Sequence, residues 1–185
     1  TLTPQGGALN IGGNSAAAVT ETVTTLTPGE GGGILSLSAG STAGVTLMLT
    51  TLSASSGTSS LLVRGDNLGS WAIGASGTAA ILLPSAAAFN APGTQGGGNN
   101  GTTVLSIRPD ILGDASASGS GTGFLVRDTS LGVLRPLNQA TELQYNLVTL
   151  NSTTTSNQQN AGVSSLQNVL GSVSLNSLTL LAGGT

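Results

Sequence analysis

Short runs in which apolar and hydroxyl side chains alternate recur along this chain, and Gly, Ser or Asn breaks each of them after roughly four to six residues. Gly33-Ile34-Leu35-Ser36-Leu37-Ser38 is followed by Ala39-Gly40-Ser41, and Val45-Thr46-Leu47-Met48-Leu49-Thr50 sets Val and Leu on one face and Thr and Met on the other. A period of two belongs to a strand, whose successive side chains point to opposite faces. Residues 60–64, 80–83, 103–107, 123–127, 132–134, 145–150, 172–175 and 177–181 repeat the idiom between turn residues, so they read as strands. Residues 14–25 open with a capping Asn and three alanines. Their Val-Thr-Glu-Thr-Val-Thr-Thr tail is β-branched and alternating, which favours a strand. Residues 136–145 are compatible with a single helical turn, with Pro136 acceptable at its first position.

Many short strands can build a sandwich or a solenoid. Except at Asn100-Gly101, no tight hairpin dipeptide joins two alternating runs. Aromatics are only 2% of the residues, too few for an ordinary sandwich core, whereas the narrow core of a solenoid is filled well by Leu, Val, Ile and Ala. The expected fold is therefore all-β, a right-handed parallel β-helix (β-solenoid), with a β-sandwich as the alternative. Residues 1–185 form a single solenoid segment in this reading, with loops near 90–101, 115–122 and 152–162. Leu35, Leu37, Val45, Leu47, Leu49, Leu61, Val63, Leu105, Ile107, Leu125, Leu175, Leu178 and Leu180 are the expected core.

Composition excludes much chemistry. Charged residues are 6% of the chain, and Lys, His and Cys are absent. Zinc sites of the usual kind, haem, iron–sulfur clusters, Schiff bases and imidazole catalysis lack their ligands or bases. Four Arg and a net charge of −3 do not suit nucleic-acid binding, which runs on counterion release by many cations. At 38% hydrophobic residues the chain is not compositionally disordered either. Its longest apolar runs, such as 79–83, fall far short of the ~20 residues that cross a bilayer as a helix.

Leu62-Val63-Arg64-Gly65-Asp66-Asn67-Leu68-Gly69, then Gly123-Phe124-Leu125-Val126-Arg127-Asp128, then Gly132-Val133-Leu134-Arg135-Pro136-Leu137-Asn138, together resemble repeats of the autotransporter-associated β-strand repeat proteins, very large secreted bacterial proteins. The closing Val173-Ser174-Leu175-Asn176-Ser177-Leu178-Thr179-Leu180, with Gly183-Gly184-Thr185, is similar to the strand–turn ending of those repeats. The likeness spans about residues 33–185. It implies an extracellular or cell-surface right-handed β-helix with a structural or passenger role, and it carries no catalytic residues over.

The remaining motifs have bland readings. Arg64-Gly65-Asp66 is formally an integrin tripeptide, but it closes a strand and reads as a turn. Asn100-Gly101-Thr102 and Asn151-Ser152-Thr153 match the glycosylation acceptor in a chain with abundant Asn, Ser and Thr. Asp110, Asp114 and Asp128 lack calcium-loop spacing, and pairing with Arg108, Arg127 and Arg135 is the expected use. Gly96-Gly97-Gly98 has no following Lys and reads as a flexible loop. No catalytic, cofactor or metal residues are assigned, and no cofactor is expected. The function expected is that of a non-enzymatic structural building block of a fibre, sheath or surface array, whose partners are itself or neighbouring repeats. The alternative is a cell-surface adhesin binding glycan or protein through its loops. Both ends read as cut from a longer pattern and neither carries a cap, so continuation by further repeats or by head-to-tail stacking is expected.

Overall fold

The computed structural model describes residues 1–55, 59–70, 72–89, 96–145, 149–151, 158–165 and 168–182. Parts of the two expected loops at 90–101 and 152–162 and of the strand at 145–150, and all of the Gly183-Gly184-Thr185 ending, lie outside them. The chain is almost all β, and its backbone gathers into two compact units.

The first unit comprises Thr1–Pro92 and Arg108–Leu137. Its strands are β1 (Gly7–Gly12), β2 (Val19–Leu26), β3 (Gly33–Ser38), β4 (Val45–Leu52), β5 (Leu61–Gly65), β6 (Ala79–Leu82), β7 (Ile107–Asp114), β8 (Gly123–Arg127) and β9 (Leu134–Pro136). Odd and even strands part into two sheets, ordered β1-β3-β5-β7-β8-β9 and β2-β4-β6. The pairs from β1 to β7 and from β2 to β6 are parallel and skip one strand each time. Gly7 lies against Gly33 and Val19 against Val45, both 26 residues on, so the two sheets take their first step together; the later steps lengthen, to 28 residues at Gly33 with Leu61, 34 at Val45 with Ala79 and 50 at Leu61 with Ile111.

In-register parallel pairing lines like residues into columns. Leu35 stands over Val63, Leu61 over Ile111, and Val45 over Ala79, all inside one buried cluster. Corners between the sheets come close together: a Cβ on Gly40 would lie 2.2 Å from the Asn14 carbonyl oxygen, so only glycine fits there.

The far side of this stack ends in an antiparallel hairpin, β8 with β9, which the sequence reading did not anticipate. Its turn rests on Asp128, whose Oδ1 accepts from the Ser130 and Leu131 amides, and on Gly132 at φ 70°. An Asx-type cap therefore replaces the expected Asn-Gly or Asp-Gly signal. The strand expected at 103–107 is displaced to β7. Pro109, inside β7, lies upstream of Ile111, where pairing with β5 begins.

The second unit comprises Gly93–Ile107 and Asn138–Thr185. The expected helical turn is present as α1 (Gln139–Glu142), with Asn138 rather than Pro136 at its start; the Asn138 side chain accepts from the Ala140 amide. Two parallel two-stranded sheets follow, β10 (Thr149–Asn151) with β12 (Asn168–Leu170), and β11 (Asn160–Val163) with β13 (Ser177–Leu180). β11 is buried throughout, so the loop expected at 152–162 ends before Asn160. Residues 172–175 are not a strand.

Ten of the expected core residues are buried, from Leu35 through Leu125. The other three are not. Leu175 is half-buried, and Leu178 and Leu180 are 45% and 64% exposed. Leu178 and Leu180 pair with the buried Ala161 and Val163, so they follow the core face but stand on an edge strand over which no further strand pairs among the described residues.

Candidate functional site

Three of the four arginines, Arg64, Arg108 and Arg127, tie together segments distant in sequence, and Arg135 pairs within the β8–β9 hairpin. Arg108 is fully buried; its Nε and Nη2 grip Asp110 at 2.8 and 2.6 Å, while Nη1 and Nη2 donate to the carbonyls of Leu52 and Ser53. Asp110 also accepts from the Ser55 amide. Burial pushes the Asp110 carboxyl up, but the hydrogen bonds and charge of Arg108, with backbone amides, outweigh it and hold the group below the ordinary carboxylate value. Arg64 donates to Ser36 Oγ and to the Gly119 carbonyl. Arg127 donates to the carbonyls of Leu83 and Pro84. Arg135 pairs with Asp128 at 3.5 Å. Two of the expected Arg–acid pairs are therefore present, and Arg127 binds backbone instead.

The acids are placed likewise. Asp114 closes the 115–122 loop by accepting from the Ser116 and Gly121 amides. Asp110 and Asp114 lie four residues apart on one strand, a separation of about 13 Å at strand rise. Among the described residues no group of three or more metal-ligating side chains gathers. In the Arg64-Gly65-Asp66 tripeptide, Gly65 is buried and Asp66 accepts from the Ala39 amide, so both charged side chains are engaged internally. Gly96-Gly97-Gly98 is not a free loop: the amides of Gly97 and Gly98 both donate to the Val104 carbonyl. Asn100 sits in a turn closed by the Thr102 amide on the Asn99 carbonyl. The second acceptor triplet lies partly outside the described residues.

Two polar centres in the second unit had no signal in the sequence. Glu142 is buried and accepts from the amides of Gly101 and Asn138. Asn160, fully buried, donates to the Leu105 carbonyl and accepts from Asn176 and Ser177. Their neighbours are far apart in sequence, which no local pattern reveals.

A groove of about 220 Å³ runs over the outer face of β2 and β4, lined by Thr22, Met48, Leu49, Thr50, Pro84 and Ser85. The larger open features are strand edges. In the first unit β1 and β2 each stand at the edge of a sheet. Their Leu9, Ile11, Val19 and Val23 pack on the core while remaining half-exposed. Among them, Glu21 pairs with Leu47, which pairs with Ile81; both of those are fully buried, so the exposed Glu21 heads an apolar inward column. In the second unit the β12–β13 edge exposes Val169, Leu170, Leu178 and Leu180 and carries no charge.

No helix among the described residues is long and apolar enough to cross a membrane. No protein-family model, curated protein or solved structure matches the chain.

Proposed function

We propose that this chain is a non-enzymatic, extracellular or cell-surface structural protein: a right-handed parallel β-helix (β-solenoid) segment that builds a fibre, sheath or surface array. The resemblance to autotransporter-associated repeats supports the same reading. The observation that carries it is the in-register stacking of alternate strands into two parallel sheets, with edges whose inward apolar side chains lack a covering strand. A parallel edge with unpaired amides and carbonyls is a template for another strand. Contacts that join unlike edges do not close on themselves and extend into filaments. The arginines and acids serve as ties in this reading rather than as a reacting pair.

The test is sedimentation and negative-stain microscopy of the purified protein at physiological salt, from about pH 7 to about pH 4. End-to-end particles of constant width are expected. A homogeneous monomer at every pH overturns the stacking and favours an adhesin, for which the groove at Met48 and Pro84 is the first surface to probe with glycans.

A further inference from the structure

We propose that Glu21 gates the β1–β2 edge: a second copy of this chain seats its β12–β13 edge there only when the Glu21 carboxyl is protonated. The inference rests on the stacking reading above and names its regulation. A strand added beside β2 continues its columns, and the column headed by Glu21 is otherwise Leu47 and Ile81. An added strand therefore covers a carboxylate flanked by the apolar Val19 and Val23. An ionised carboxylate taken out of water without a partner opposes association strongly. Inward-pointing charge on an edge strand is a known device against edge pairing.

Nothing on either side can neutralise that charge. β4, packed on β2, has no titratable side chain, and neither do β1 and β3. The amino terminus lies at the other end of β2, where Leu2 pairs with Leu26. On the incoming copy, β12 and β13 have no charged residue, and the one acid of that unit, Glu142, is buried on the Gly101 and Asn138 amides. The chain has no Lys or His, and its four arginines are committed to Ser36 and Gly119, to Asp110, to Leu83 and Pro84, and to Asp128. Self-association through this edge thus leaves proton uptake as the way to remove the charge. The occupant fits in kind: Val169, Leu170, Leu178 and Leu180 are apolar and exposed on strands that pair in parallel with β10 and β11 and, among the described residues, end their sheets.

The experiment is sedimentation velocity at fixed salt on the wild-type chain, Glu21→Leu, Glu21→Gln and the control Glu30→Gln, which removes the same charge from an exposed turn. At pH 7 the wild type and Glu30→Gln remain dispersed. Glu21→Leu associates about 100-fold or more tightly, Glu21→Gln follows part of the way, and the wild type joins them in acid. Far-UV circular dichroism checks that all four are folded. If Glu21→Leu stays dispersed at pH 7 while the wild type assembles in acid, stacking stands and the gate is wrong. Equal assembly of wild type and Glu21→Leu at pH 7 overturns the gate in the same way. Dispersion of all four at every pH overturns the stacking reading itself.

Discussion

Replacing Arg108 with Met tests whether the buried tie at the start of β7 holds the first unit together. The guanidinium is 0% exposed and makes a two-pronged pair with Asp110, whose side chain is 13% exposed, besides bonding two backbone carbonyls. Met fills much of the volume but leaves a buried carboxylate with only backbone amides, and leaves the Leu52 and Ser53 carbonyls short of a donor. Breaking a buried pair by removing one partner costs about 3–5 kcal/mol, a large part of the ~5–15 kcal/mol that holds a domain together. The pH dependence carries a sign. In the wild type the Asp110 pKa is lowered below its ordinary value of 3.8, so its contribution is present above that pH and is lost as pH falls through the folded pKa. Without Arg108, burial is opposed by backbone amides alone and the folded pKa rises. The deficit of Arg108→Met is then greatest near neutrality and shrinks as acid protonates Asp110. Urea unfolding followed by far-UV circular dichroism at several pH values reads both effects. A loss below about 1 kcal/mol, or one that does not change with pH, refutes the reasoning.

The two leucine populations should separate in the same assay: Leu47→Ala costs about 2–5 kcal/mol, whereas Leu180→Ala stays within about 0.5 kcal/mol because its side chain is already exposed. Asn67 is the non-glycine residue with positive φ among those described, at 48°, and its Nδ2 donates to the Gly77 carbonyl. Asn67→Ala should cost about 1–2 kcal/mol, and Asn67→Gly should cost less; equal losses would mean that the hydrogen bond rather than the backbone sets the effect. Asn160→Ala strands the partners of a buried network and should cost about 1–3 kcal/mol, seen as faster amide exchange in β11 and β13 with β3 and β4 unchanged.

The strands that were legible in sequence are those whose two faces differ in chemistry. β3 and β4 show alternation because one face meets the core and the other meets solvent or a neighbouring side chain, whereas β8 carries Phe124, Leu125 and Val126 in succession and buries both Leu125 and Val126. Beside them, β11 is Asn-Ala-Gly-Val, buried on both faces, and has no alternation to read. β1 hides its pattern in glycines at each end, and its role follows only from pairing with β3. The misplaced leucines have the opposite cause. Leu178 and Leu180 carry the right period, but burial depends on whether a further strand lies over them, and periodicity does not encode that. The arginine ties follow the same division. Arg108 with Asp110 was readable at a spacing of two, whereas Arg64 with Gly119 and Arg127 with Leu83 join residues brought together only by stacking.

Sparse charge sharpens what each charged residue does here. The four arginines bind carbonyls, carboxylates or a serine hydroxyl inside the first unit, and Asp110, Asp114 and Asp128 each hold a backbone amide or a guanidinium. Glu21 breaks that rule. It stands exposed, in a column that is apolar below it, on a strand whose outer edge carries, among the described residues, only the Leu2 bridge at Leu26. A carboxylate there adds nothing to the core beneath, since Leu47 and Ile81 are fully buried without it. Its physical consequence falls on whatever approaches the edge, because an arriving strand removes its water while β4, β1 and β3 offer no cation in return. The β12–β13 edge of the second unit has apolar side chains and no such charge. Two edges so unlike each other favour heterologous over like-with-like contact, since pairing β1–β2 edges across a two-fold axis would bring two Glu21 carboxylates to the same interface.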